Sequence, residues 1–124
     1  MEIIKNILAV GAGSFVGGAA RYLVSLGMKG IGKGFPWATL AVNLVGCLMI
    51  GLLWGLLSRN AAENTSWGLF LTVGLCGGFT TFSTFSKEAL AMLQTDQMWG
   101  FASYIAISVL AGIALVALGY YIAR

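Results

Sequence analysis

Charges along this chain fall in short clusters, and between them the sequence runs uncharged for long distances. The runs Gly34–Ser58, Asn64–Ser86 and Gln97–Ala123 hold 25, 23 and 27 residues, each enough for the roughly 20 that cross a bilayer as a helix. A fourth run, Asn6–Ala20, has 15 residues; it reaches spanning length when Ile3 and Ile4 extend it and Arg21 snorkels from its other end. The pattern predicts an all-α membrane protein, a single domain over residues 1–124, with four transmembrane helices at about 3–26, 37–57, 67–93 and 99–122. The first stretch reads as a retained span rather than a cleaved leader, because no compact small-residue cleavage box follows it and three more spans do. Trp37, Trp67 and Trp99 stand where predicted spans begin, and Trp54, Tyr120 and Tyr121 lie near ends. Interfacial anchors are placed this way.

Small residues recur at four-residue spacing: Gly13 with Gly17, Ser14 with Gly18, Gly51 with Gly55, and Ser108 with Gly112. Such pairs let helix backbones approach closely in lipid. Between the first two spans, Leu26 to Pro36 reads as a flexible Gly/Lys loop, with Pro36 where the first turn of a helix tolerates proline.

The third span carries an unusual interruption, Gly77-Gly78-Phe79-Thr80-Thr81-Phe82-Ser83-Thr84-Phe85-Ser86. Two helix-weakening glycines precede five hydroxyl residues interleaved with three phenylalanines. This predicts a helix broken at mid-membrane, over residues 77–81. Lipid tolerates open backbone and unmatched polar groups only where protein or a water-filled cavity surrounds them, so the segment reads as an ion or solute site. If the chain is helical from Phe82 onward, Phe82 and Phe85 share a face, while Phe79 is expected to pack against neighbouring helices. Asn43 lies well inside the second span and needs a partner, either as structural glue between helices or in the lining of a pore.

Only 9% of residues are charged and 59% are hydrophobic, whereas a soluble domain carries about 25% charged residues. The net charge of +3 is scattered and gives no basis for nucleic-acid binding. The chain has no histidine, which excludes His-based catalysis, and Cys47 and Cys76 read as small packing residues inside apolar spans. No carboxylate is expected in the middle of a span, Glu88 and Asp96 falling near the end of the third helix and just beyond it. Phenylalanine edges are electropositive, and Thr, Ser and Asn side chains donate hydrogen bonds. An uncharged, donor-rich, ring-edged lining favours a small, strongly hydrated anion over a cation or an organic base.

Four spans put both termini on one side of the membrane. That side holds Lys5, Arg59 and Arg124, and the other holds Arg21, Lys29, Lys33 and Lys87. Three basic residues against four give almost no positive-inside bias, which permits insertion in both orientations and hence an antiparallel homodimer. Such pairing would also shelter Asn43 and the hydroxyls of the break.

At these residues the sequence resembles the bacterial fluoride channel family, the CrcB-like or Fluc proteins. The resemblance covers nearly the whole chain: Gly17-Gly18-Ala19-Ala20-Arg21-Tyr22, then Pro36 to Gly46 around Asn43, then the block from Gly74 to Ser86, and Tyr104, Ser108 and Gly112 in the last span. Ala38 stands where the family usually has Gly, and Gly112 and Val116 stand where some members have Ser or Thr. The resemblance implies a fluoride-selective passive channel in the bacterial inner membrane, exporting fluoride and lowering its cytoplasmic concentration. It further implies an antiparallel, dual-topology homodimer with two pores, each lined by both subunits. Phe82 and Phe85 would contact fluoride through their edges; Asn43, Ser83 and Thr84 would continue a polar track beside Tyr104 and Ser108. The backbone carbonyls of Gly77 and Thr80 would hold a structural sodium ion, and Arg21 would make the aqueous vestibule electropositive, although as a lone residue it reads equally as a snorkelling or packing arginine.

Two rival readings stand beside this one. A proton-coupled four-helix multidrug exporter has the same length and topology bias but requires a titratable intramembrane carboxylate. A membrane assembly subunit accounts for the small-residue faces but not for the Thr/Ser/Phe break.

Overall fold

The computed structural model describes residues 2–32 and 34–124. Four helical spans are long and apolar enough to cross a membrane: Glu2–Gly27, Trp37–Arg59, Ser66–Gln94 and Met98–Ala123. The first, second and last are the continuous helices α1 (Glu2–Gly27), α2 (Trp37–Arg59) and α6 (Met98–Ala123). The third is composite. It begins as the short helix α3 (Ser66–Leu69), widens into a π-helical segment (Phe70–Cys76), returns to α-geometry as α4 (Gly77–Phe79), and resumes after Thr80 and Thr81 as α5 (Phe82–Gln94).

Local chemistry explains the ends. Pro36 is the N-cap of α2, where its missing N–H is no loss. The Thr65 hydroxyl accepts from the Gly68 N–H at 3.0 Å to start α3, and Thr81 does the same for the Thr84 N–H at 3.2 Å to start α5, both as N-capping residues do. Ala61 and Asp96 turn the chain with positive φ after α2 and α5. In the expected Gly/Lys loop, Gly30, Gly32 and Gly34 take left-handed φ of 88°, 61° and 88°, a region glycine enters freely; Lys33 of that loop lies outside the described residues.

The expected break needs correction. Gly77 is helical, at φ −62° and ψ −39°, and only Thr80 (φ −94°, ψ 163°) and Thr81 (φ −153°, ψ 122°) are extended. Gly78 and Gly74, one turn apart before the break, serve close approach instead. A Cβ on Gly78 would stand 2.6 Å from the Ser14 carbonyl oxygen, and one on Gly74 would stand 2.8 Å from that of Val10. From the other side, a Cβ on Gly13 would lie 2.8 Å from the Leu75 nitrogen, and one on Gly17 would lie 2.8 Å from that of Phe79. Two glycine pairs at four-residue spacing, one on α1 and one on the third span, thus meet backbone to backbone, the arrangement small residues permit in membranes. Gly18 has nothing within 4 Å of its added Cβ, so its open face takes no part.

α2 and α6 form the second close pair. A Cβ on Gly55 would stand 2.7 Å from the Tyr120 carbonyl oxygen, one on Gly119 would stand 2.6 Å from that of Leu48, and one on Gly112 would stand 3.3 Å from the Cys47 sulfur. The small core between α2, α5 and α6 consists of Leu40, Ala89, Met92 and Tyr104, with Phe35, Leu44, Phe85 and Phe101 packed around it. Outward faces are apolar, with Phe15 and Leu110 mostly exposed, as a lipid-facing surface requires.

Candidate functional site: a break held open by Asn43

Asn43, on α2, forms a two-point bracket on the extended Thr81 peptide. Its Oδ1 accepts from the Thr81 N–H at 2.8 Å, and its Nδ2 donates to the Thr81 carbonyl at 3.0 Å. The amide so satisfies one peptide that would otherwise lie open at membrane depth, where an unmatched group is costly. The Thr80 hydroxyl donates to the Cys76 carbonyl at 3.0 Å, and Arg21 Nε donates to the Gly78 carbonyl at 3.2 Å.

These bonds decide which carbonyls are left free. In a continuous helix the Thr81 N–H would return to the Gly77 carbonyl and the Thr84 N–H to that of Thr80. The first donates to Asn43 instead, and the second to the Thr81 hydroxyl. Gly77 and Thr80 therefore both lose their helical hydrogen bond, and both line a groove of about 410 Å³. A pair of freed carbonyl oxygens fits a hard monovalent cation, which takes oxygen ligands. Among the described residues no group of three His, Cys, Asp or Glu side chains is placed to hold a metal, so backbone oxygen is the donor on offer.

The same groove is lined by Asn43 and Cys47 from α2, Thr72 and Cys76 from the π-helical segment, Phe82 and Phe85 from α5, and Ser108 from α6. Phe82 is 78% exposed, and its ring centroid lies 5.7 Å from that of Phe85. The Ser108 hydroxyl oxygen is buried and has no hydrogen-bond partner among the described residues. Tyr104 stands behind Phe85, fully buried, with ring centroids 4.9 Å apart.

Asn43, Gly77, Thr80, Phe82, Phe85 and Ser108 are thus brought to one groove. The other expected residues are placed differently. Ser83 is exposed, its hydroxyl 3.5 Å from that of Thr81, and Thr84 contributes its N–H to the cap. Arg21, on α1, reaches α4 just before the break through the Gly78 carbonyl.

Glu88, expected near the end of the third helix, lies in α5. Glu88 turns inward from α5: its Oε1 accepts from the Tyr104 hydroxyl at 2.9 Å and its Oε2 from the buried Thr39 hydroxyl at 3.1 Å. Its distance from the middle of the span hid this, but Glu88 follows Phe85 by three positions and therefore shares its helix face, a signal present in the sequence. Glu88 also lines a second cavity of about 360 Å³, with Phe35, Pro36, Met92, Thr95 and Gln97.

A family model described as CrcB-like protein, Camphor Resistance (CrcB), matches residues 8–120. The chain is similar to a protein of Desulfotalea psychrophila named Fluoride-specific ion channel FluC, 42% identical over 124 residues, covering 100% of this chain and 96% of the relative. Proteins with the same name from Chlorobium phaeobacteroides and Phocaeicola vulgatus are 41% identical over 123 residues and 43% identical over 122. These alignments cover 99% and 98% of this chain, and 96% and 100% of the relatives.

Proposed function

The chain belongs to the CrcB-like fluoride channel family, and from that membership we propose that it is a fluoride-selective passive channel, exporting fluoride and lowering its concentration in the cytoplasm. It is an integral, multi-pass bacterial membrane protein, and a transport protein rather than an enzyme. The observation that carries the anion reading is the Phe82–Phe85 pair on the groove at the break. Their electropositive edges, with the unpartnered Ser108 hydroxyl and the Thr81 hydroxyl, offer donors and no acceptor-rich cage of side chains. A narrow path of this kind replaces hydration for a small anion and excludes a larger one by size. Beyond Phe85, the Tyr104 and Thr39 hydroxyls donate to Glu88, so both oxygens of the carboxylate are occupied.

Flux from liposomes containing only this protein tests the reading. Fluoride should leave rapidly and chloride should not, with no obligatory proton movement. Glu88 is an intramembrane carboxylate of the kind an exporter uses, so proton-coupled flux, or chloride passing as fast as fluoride, overturns the channel.

The finer organisation follows from what the single chain leaves open. A groove with Phe82 almost bare and polar groups at membrane depth requires a cover that lipid cannot supply. A second copy in the opposite orientation supplies it, and the near-equal basic counts permit both insertions. The proposal is an antiparallel dual-topology homodimer with two pores, a structural sodium ion on the Gly77 and Thr80 carbonyls, Asn43, Ser83 and Thr84 along the polar track, and Arg21 at the vestibule. Impermeant labelling of a terminal cysteine in cells should mark both membrane faces; labelling on one face alone removes the dual topology.

A further inference from the structure

An unbroken series of ring contacts leads from the break to the start of α2. Phe82 touches Phe85, Phe85 touches Tyr104, Tyr104 meets Phe35 with centroids 5.6 Å apart and planes at 75°, and Phe35 lies 4.6 Å from Trp37. Phe35 differs from the other four in its support. It belongs to no helix, and it is set by a turn in which its N–H donates to the Gly32 carbonyl at 3.1 Å and its carbonyl accepts from the Trp37 N–H at 2.9 Å.

The turn places an aromatic edge against a residue that has a second duty. Tyr104 is in ring contact with both Phe85 and Phe35, and its hydroxyl donates to Glu88. Phe85 lines the 410 Å³ groove, whereas Phe35 and Glu88 line the 360 Å³ cavity. Tyr104 therefore links the ring on the first space, Phe85, to a ring and a carboxylate on the second, Phe35 and Glu88. With Phe35 removed, the Tyr104 side chain gains room on that side, and a change of rotamer would carry the hydroxyl away from the carboxylate.

We propose that Phe35 is a positioning residue for anion conduction: its ring, in T-shaped contact with Tyr104, holds the Tyr104 hydroxyl on Glu88. The inference rests on the fluoride-channel reading and extends it to a loop residue that contacts no part of the groove at the break.

The test combines liposome fluoride flux with a crystal structure. Phe35→Ala should lower flux about tenfold, the scale of one aromatic pair, and Phe35→Tyr, which keeps the ring, should stay within about twofold of the parent. In a Tyr104→Phe background, which has no hydroxyl to position, Phe35→Ala should add no further loss. In the Phe35→Ala structure the Tyr104 hydroxyl should have left Glu88. Parental flux in Phe35→Ala, an equal loss in both backgrounds, or a variant structure that retains the Tyr104–Glu88 bond overturns the inference. A loss shared by Phe35→Ala and Phe35→Tyr that follows lowered thermal stability also overturns it. An unsubstituted protein that carries no fluoride refutes the channel reading instead, so the two failures are distinguishable.

Discussion

Substituting Phe82 or Phe85 by isoleucine should reduce fluoride flux by about a hundredfold or more, equivalent to some 2.7 kcal/mol of barrier, while the protein remains folded. Isoleucine keeps bulk and apolarity and removes the ring edge, so the substitution separates electrostatics from packing. The two positions should differ in stability. Phe82 is 78% exposed and makes its ring contact with Phe85, so Phe82→Ile should leave the thermal midpoint of the isolated fold nearly unchanged. Phe85 also packs on Tyr104, and losing that ring pair should cost about 1 kcal/mol. An ion-selective electrode on reconstituted liposomes reads the flux, and size-exclusion chromatography with thermal melting reads the fold. Full parental flux in both variants shows that the ring edges are not conduction sites. Flux loss in strict proportion to unfolding reduces both rings to core packing.

How much the sequence made visible divides by the range of the interaction. The spans were legible because a charge in hydrocarbon is expensive, and the uncharged runs mark where the chain can lie in lipid. The site was legible as a cluster, since hydroxyls and helix-weakening glycines at mid-span are costly in lipid unless they line a sheltered site. The cause of the break was not. Gly77 and Gly78 looked like the weak point, yet the backbone opens two residues later because Asn43, 38 positions away, takes both polar groups of one peptide. Nothing in the local pattern identifies that partner. Nor does it reveal the π-helical segment Phe70–Cys76, which brings Gly74 and Gly78 onto α1 and leaves Thr72, Cys76 and Gly77 on the groove. The contacts of Glu88 are hidden in the sequence for a different reason. Distance along a span says how deep a carboxylate lies and not which way it points, and here Thr39 and Tyr104 turn it inward.

The bracket on Thr81 makes the second large prediction. Asn43→Leu preserves volume approximately and removes both hydrogen bonds to the Thr81 peptide. Two such bonds, with their partners left buried, should cost about 3 kcal/mol of stability. The freed Thr81 N–H should then return to the Gly77 carbonyl, its partner in a continuous helix. Closing that bond extends α4 and withdraws one of the two carbonyls offered to a cation. A ligand that binds only the folded state raises the melting temperature with its concentration. In detergent, the parent protein should therefore melt higher in sodium than in an equal concentration of a bulky organic cation, and Asn43→Leu should melt at the same temperature in both. A parent protein indifferent to complete sodium removal disposes of the cation site. A variant that keeps the parent's sodium response shows that the carbonyls are exposed by something other than Asn43, and the freed N–H of Thr81 would then have found another acceptor.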